Sequence, residues 1–252
     1  MINILIPMAG SGSRFNKAGY LKNKPFIDVA GKPMILRVLE NLNFPNANYI
    51  LVARREHLQA EAQIVHEIKQ QYKVTFVEIE ALTEGTACSV LFARSIIDNE
   101  TPLLIANSDQ IVDFSLQEFI NDCRFNQLDG SIMTFIDDSR NPKWSFARVD
   151  INGRVQEVKE KEVISEFATV GIYFFSRGAD FVDAAIEMIL NQDRVNNEYY
   201  TCPTYNYLIK KGKKIGIYNV SKTSMHGMGS PEDLNNFLDL CQKNNKDFNN
   251  KI

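Results

Sequence analysis

The stretch Ile2-Asn3-Ile4-Leu5-Ile6-Pro7-Met8-Ala9-Gly10-Ser11-Gly12-Ser13-Arg14-Phe15, with Lys24-Pro25 further on, constrains this chain more than any other. Its apolar first half is patterned as a buried strand, and it breaks at Ala9-Gly10 into a glycine-rich turn. In an open α/β sheet, the loop at the carboxyl end of a first strand is a usual place for a ligand. Glycines let backbone N–H groups approach phosphate oxygens, and Arg14 and Lys24 add positive charge where negative charge must be held. The loop therefore reads as a triphosphate cradle.

Two familiar phosphate motifs are excluded. A Walker A loop needs Gly-Lys-Ser/Thr opening a helix, whereas Gly12 is followed by Ser13-Arg14-Phe15. A dinucleotide fingerprint needs a third glycine where Phe15 stands, and a long helix that Gly19 and Pro25 oppose. What remains is a longer, non-helical loop over residues 8–25. Either glycine alone would equally suit a tight turn after an edge strand, and only the ordered set is specific. That set, Ala-Gly-x-Gly-Ser-Arg with a downstream Lys-Pro, resembles the signature of the sugar nucleotidyltransferases (nucleoside-diphosphate-sugar pyrophosphorylases) and their cytidylyltransferase relatives.

The 252 residues allow one large α/β domain with a sizeable core, and 44% hydrophobic with 23% charged residues is ordinary for a soluble globular protein. A net charge of −3 leaves no electrostatic footprint for a nucleic-acid polymer. Cys88, Cys123, Cys202 and Cys241 lie at long, unequal spacings, so neither a zinc site nor a disulfide framework is indicated. The first ten residues lack a basic leader, and no apolar run approaches a membrane span. A soluble cytoplasmic protein is expected, with no membrane partner and with homo-oligomerisation left open.

Strand and helix patterns alternate through the first half. Strands are read at Ile2–Pro7, Tyr49–Ala53, Val74–Ile79 and Pro102–Ala106, and helices at Pro33–Asn41, Glu56–Gln71 and Thr86–Ile97. This alternation predicts a mostly parallel sheet with helices on both faces. After residue 130 shorter strands follow at Ser131–Ile136, Phe146–Asp150, Val155–Val158 and Ala168–Phe175, with a hairpin around Asn152-Gly153. Helices at Asp180–Leu190 and Tyr200–Lys210, a strand at Lys214–Val220 and a helix at Pro231–Cys241, boxed by Ser230 and Asp233, close the chain. With the resemblance, the expected fold is a three-layer α/β/α Rossmann-like nucleotidyltransferase fold with a mixed, mostly parallel central sheet. One domain is expected over 1–241, with a nucleotide-binding half 1–130, an acceptor-binding half 131–241 and a polar tail 242–252.

Several motifs carry the chemistry. Ala106-Asn107-Ser108-Asp109-Gln110 follows a buried strand and puts Asp109 at the sheet's carboxyl edge, where its oxygens suit a Mg²⁺ that bridges phosphates. An Asp there also serves as a turn former, and Asp113 is the poorer candidate. Thr83-Glu84-Gly85-Thr86-Ala87 lets a flat base lie on backbone, or is an ordinary helix start. Val155–Glu162 reads as a solvated charged stretch, and Glu198 as a carboxylate leading into a helix.

The resemblance sharpens these readings. It implies a metal-binding role for Asp109, and nucleotide binding by Ala9, Gly10, Ser11, Gly12, Ser13, Glu84 and Gly85. Arg14 and Lys24 are implied as the catalytic cations. It implies acceptor binding by Lys161, which is favoured over Lys159, and by Thr169 and Glu198. Two positions depart from the family pattern: Glu162 replaces a proline after Glu160-Lys161, and Gly227 stands where most sugar enzymes place a second metal-binding aspartate. His226 beside it is otherwise a lone histidine, and either it or another carboxylate would have to help, or Asp109 would hold the metal with phosphates and water. The implied reaction joins a nucleoside triphosphate to a phosphorylated acceptor and releases pyrophosphate, with Mg²⁺, for capsule or lipopolysaccharide precursors. A sugar 1-phosphate is the default acceptor, and CTP with phosphocholine or phosphoglutamine is the alternative. A non-catalytic nucleotide-binding regulator also stays open. A glycosyltransferase would want an Asp-x-Asp that Ser108-Asp109-Gln110-Ile111 lacks.

Overall fold

The computed structural model describes residues 1–243. From residue 244 onward, the expected polar tail lies outside them.

The apolar strand β1 (Ile2–Pro7) runs into the glycine turn and then a short helix α1 (Ser13–Lys17). The loop expected to be non-helical over 8–25 thus contains one helical turn, pinned by the fully buried Phe15, and a 3₁₀ turn at Lys24–Phe26. A small hairpin, β2 (Asp28–Val29) and β3 (Lys32–Pro33), leads to α2 (Met34–Asn41). Strand β4 (Ala47–Arg54) follows, then α3 (Arg55–Ala60), α4 (Ala62–Gln71) and β5 (Val74–Ile79). The single helix read over Glu56–Gln71 is two, divided at Glu61. The one read over Thr86–Ile97 is likewise α5 (Thr86–Leu91) and α6 (Arg94–Ile97). Apolar periodicity survives such a break, because both pieces bury the same side.

Strand β6 (Leu103–Ala106) is followed by β7 (Gln110–Val112) and α7 (Leu116–Phe125), neither of which the sequence reading contained. The chain continues through β8 (Gly130–Ile136), β9 (Ser145–Val149), β10 (Val155–Glu160), β11 (Phe167–Phe175) and α8 (Gly178–Leu190). It ends with α9 (Thr204–Lys210), β12 (Ile215–Asn219), β13 (Met225–Gly227) and α10 (Pro231–Lys243). Helix α9 starts at Thr204, not at Tyr200, so Glu198 does not open a helix and instead pairs with Val195 in an isolated bridge.

The protein has a mixed central sheet, mostly parallel, with the order β10-β9-β11-β6-β1-β4-β5 and with β8 and β12 joined through β11. Strand β1 lies parallel between β4 and β6, while β11 runs antiparallel to β6, β8 and β9. Alternate residues of each strand serve opposite faces. Ile4, Ile6 and Leu104 join one core with Met34, Phe119 and Leu234 of α2, α7 and α10. Leu5, Leu103 and Ile105 join the other with Ala87, Ile97, Phe181 and Tyr205 of α5, α6, α8 and α9. Three layers result.

The site follows from one irregularity. Along one edge, β11 pairs with β9 at Ala168 and with β6 from Ile172 onward, and its register against β8 shifts between Thr169 and Tyr173. Gly171 sits in that bulge at φ 92°, and an added Cβ would stand 2.1 Å from Asn107 Nδ2. The backbone conformation therefore favours glycine, and any side chain there would also have to push the Asn107 amide aside. Where the strand changes partners the sheet opens, beside the carboxyl ends of β1 and β6.

Candidate active site

The opening is a cleft of about 590 Å³. Met8 to Ser11, Arg14 and Lys24 form one wall, Leu82, Thr83, Gly85 and Thr86 another, and Asn107 to Gln110 the floor between them. The far side carries Trp144, Ser145, Glu160, Lys161, Thr169, Tyr173, Glu198, Tyr200 and Cys202. Ten sequence-read residues thus share one cavity: Ala9, Gly10, Ser11, Arg14, Lys24, Gly85, Asp109, Lys161, Thr169 and Glu198. Lys159 points elsewhere and pairs with Glu157 at 3.7 Å.

Three residues named from the sequence stand off the wall. Gly12 caps α1, Ser13 opens its first turn, and exposed Glu84 pairs with Arg194 at 2.9 Å. The 83–87 segment is nonetheless held as a backbone surface. The Tyr199 N–H donates to the Glu84 carbonyl at 2.7 Å, and the Ala87 N–H to the Tyr199 carbonyl at 3.0 Å. Gly85, at φ 120°, lets the two segments touch, because a Cβ there would lie 2.4 Å from the Tyr199 oxygen. Thr86 Oγ1 accepts from the Thr201 N–H at 3.1 Å, and the helix that follows has no side-chain cap.

At the centre, Lys24 Nζ donates to Asp109 Oδ2 at 2.7 Å, with the two side chains about one-fifth exposed. Pro25 and Phe26, both buried, fix Lys24 from behind. Asp109 is backed by the chain after β13, whose Met228 N–H donates to the Asp109 carbonyl at 2.8 Å. Strand β13 pairs with β7 so that Gly227 faces Gln110. A Cβ at Gly227 would meet only Gln110 Oε1, at 3.7 Å. A side chain there is thus sterically allowed and simply missing.

His226 does not supply the missing ligand, for Nε2 lies 3.2 Å from Asp113 Oδ2 and the ring packs 5.5 Å from Phe237. The histidine read as lone is paired, and Asp113 is used in doing so. Among the described residues no three His, Cys, Asp or Glu side chains converge as a metal site. Mg²⁺ needs only one or two carboxylates when phosphates and water complete its shell. Asp109 therefore fits a phosphate-borne ion and not an all-protein cage.

The far side of the cleft was legible only in part. Glu160, Tyr173 and Tyr200 flank residues that the motifs brought out, but Trp144, Ser145 and Cys202 arrive from other elements without a sequence signal. Burial raises the Glu160 carboxyl, against a hydrogen bond from Ser145 and the charge of Lys161. Burial likewise raises the Tyr200 hydroxyl, reinforced by the nearby negative charge of Glu198. The cleft therefore offers cations at its glycine-loop end, and both a cation and carboxylates at the other.

Residues 4–221 match the Nucleotidyl transferase family. The Bifunctional protein GlmU of Methanocaldococcus jannaschii is 26% identical over the whole of this chain and 57% of its own length. The mannose-1-phosphate guanylyltransferase catalytic subunit beta of Drosophila melanogaster is 28% identical over 68% of this chain and 47% of its own. The chain thus spans about half the length of these curated relatives. Among solved structures, a nucleoside-diphosphate-sugar pyrophosphorylase from Vibrio cholerae superposes with a TM-score of 0.80 at 26% identity, covering 94% of this chain and 99% of that one. A UDP-glucose pyrophosphorylase complexed with UDP-glucose superposes equally well, with a TM-score of 0.80 at 18% identity over 97% of this chain and all of that one, a likeness of fold. With the glycine loop, Lys24 and Asp109 gathered at the opening of the same fold, the chain belongs to the Nucleotidyl transferase family.

Proposed function

We propose that the protein joins a nucleoside triphosphate to a sugar 1-phosphate and releases pyrophosphate. The observation that carries this reading is the Lys24–Asp109 pair, set between the glycine loop and the acceptor wall of one cleft. An acceptor phosphate oxygen attacks the α-phosphorus, the bond to the bridging oxygen of the β-phosphate breaks, and pyrophosphate leaves with its charge. Such transfer needs alignment and charge neutralisation more than covalent help. Ala9, Gly10 and Ser11 present backbone to the phosphates, Arg14 and Lys24 neutralise them, and Gly85 carries the base. Lys161 takes the acceptor phosphate, with Thr169 and Glu198 beside it. Asp109 would hold Mg²⁺, which supplies further neutralisation of the phosphates when bound. The product would be an activated precursor for capsule or another surface polysaccharide, made in the cytoplasm; no helix of the described residues is long and apolar enough to cross a membrane.

A second reading rests on Gly227, which leaves Asp109 without a partner carboxylate. It is a cytidylyltransferase that uses CTP and a non-sugar phosphate such as phosphocholine or phosphoglutamine. Pyrophosphate release with Mg²⁺, crossing the common triphosphates with sugar 1-phosphates and these two compounds, tests both. Release with a sugar 1-phosphate is expected; release only with CTP and a non-sugar phosphate moves the protein to the second reading. Nucleotide binding with no release on any acceptor refutes both and leaves a binding or regulatory homologue.

A further inference from the structure

In the acceptor half, Lys161 makes a choice of partner. It follows β10 with a left-handed backbone at φ 57°, its N–H bonded to the Trp144 carbonyl at 3.0 Å. Two carboxylates, Glu160 and Glu198, line the same wall, and the Lys161 charge acts on the Glu160 carboxyl, yet the direct hydrogen-bond partner of the ammonium is neither of them. Its ammonium instead donates to the Tyr200 hydroxyl at 2.6 Å and lies 4.6 Å from the centre of that ring.

The chemistry of the partner matters. A lysine paired to a carboxylate is neutralised, so an incoming phosphate has to displace an anion. A phenol accepts one N–H and leaves the charge and two further donors free. The ring face adds a cation–π attraction without cancelling that charge. Tyr200 is itself fixed on both sides, by the Tyr199 N–H on the Glu84 carbonyl and by the Thr201 N–H on Thr86 Oγ1. A long, flexible side chain is thereby held in one place with two N–H donors left for a ligand.

We propose that Tyr200 is a positioning residue for the acceptor's phosphate monoester, acting by presenting the Lys161 ammonium. The inference rests on the reading above, that this half of the cleft receives the phosphorylated acceptor.

The test is Tyr200→Phe, which keeps the ring and removes the hydroxyl. Two readouts apply: steady-state pyrophosphate release, and the fluorescence of Trp144, the sole tryptophan, titrated with glucose 1-phosphate, phosphocholine and inorganic phosphate. The acceptor KM should rise about tenfold, the loss of one hydrogen bond to a charged group, while the triphosphate KM holds. In a Lys161→Ala background the same substitution should have no further effect, because its target is gone. An unchanged acceptor KM, equal rises in both KM values, or an undiminished effect in the Lys161→Ala background would each overturn the proposal. Wild-type protein that releases no pyrophosphate and shows no Trp144 response to any acceptor would overturn the functional reading, and this inference with it.

Discussion

The Lys24–Asp109 pair draws its two residues from positions 85 apart in the chain, each at the end of a different element. At 2.7 Å and about one-fifth exposed, it is drier than a surface ion pair, and leaving either charge alone there is unfavourable. In the proposed reaction the pair opens onto phosphates, with Lys24 turning to the α-phosphate. Removing one such charge-stabilising group typically costs about 10²–10³ in turnover. Lys24→Ala and Asp109→Asn are each expected to lose that much pyrophosphate release while melting as cooperatively as the wild type. Wild-type turnover in both folded variants would mean that the chemistry sits elsewhere.

Among the elements, β11 decides the most, because its change of partner opens the sheet where Thr169 to Gly171 line the cleft. The loop from β8 to β9, which delivers Trp144 to the same side of the cleft and leads into Ser145, needs its own anchor. Asp137 supplies it, almost fully buried, accepting from Ser139 Oγ at 2.6 Å, the Asn141 N–H at 2.9 Å and Lys222 Nζ at 3.1 Å. Burial alone would raise this carboxyl, but those three donors outweigh it and hold it at about 2. A carboxyl held below its ordinary value stabilises the fold above its unfolded pKa of about 4, and that contribution is lost as the pH falls through about 2. Asp137→Asn should therefore cost about 1–3 kcal/mol at pH 7, and the deficit should shrink toward pH 2. Urea unfolding of both proteins at pH 7, 4 and 2 checks this, and a deficit independent of pH would contradict it.

At the scale of the molecule, the cleft joins elements from both halves of the chain, so whatever fills it ties the sheet's parallel part to its antiparallel part. A nucleotide that binds only the folded form, supplied at about a hundredfold its Kd, adds about 2.7 kcal/mol. For a chain of 252 residues that corresponds to a rise in Tm of about 5–10 °C. Thermal melts with the four common triphosphates and Mg²⁺ should show it for the base that the 83–87 segment accepts, and no shift with any of them would refute nucleotide binding. The strands, most of the helices and the glycine loop were legible in the sequence because their signals are local: alternation, helical periodicity, and turn residues at fixed offsets. Phe15 illustrates the limit, since its burial turns one stretch of that loop into α1, and β7 and β13 form only because Gln110–Val112 meets Met225–Gly227. The sequence by itself determined the alternating α/β plan and the charged residues available to the site. The tertiary structure decided that Gly12, Ser13 and Glu84 stand off the wall, that His226 is spent on Asp113, and that Lys161 rests on Tyr200. Those outcomes depend on which side chains meet across the fold, and on the water excluded where they meet, neither of which the order of residues along the chain specifies locally.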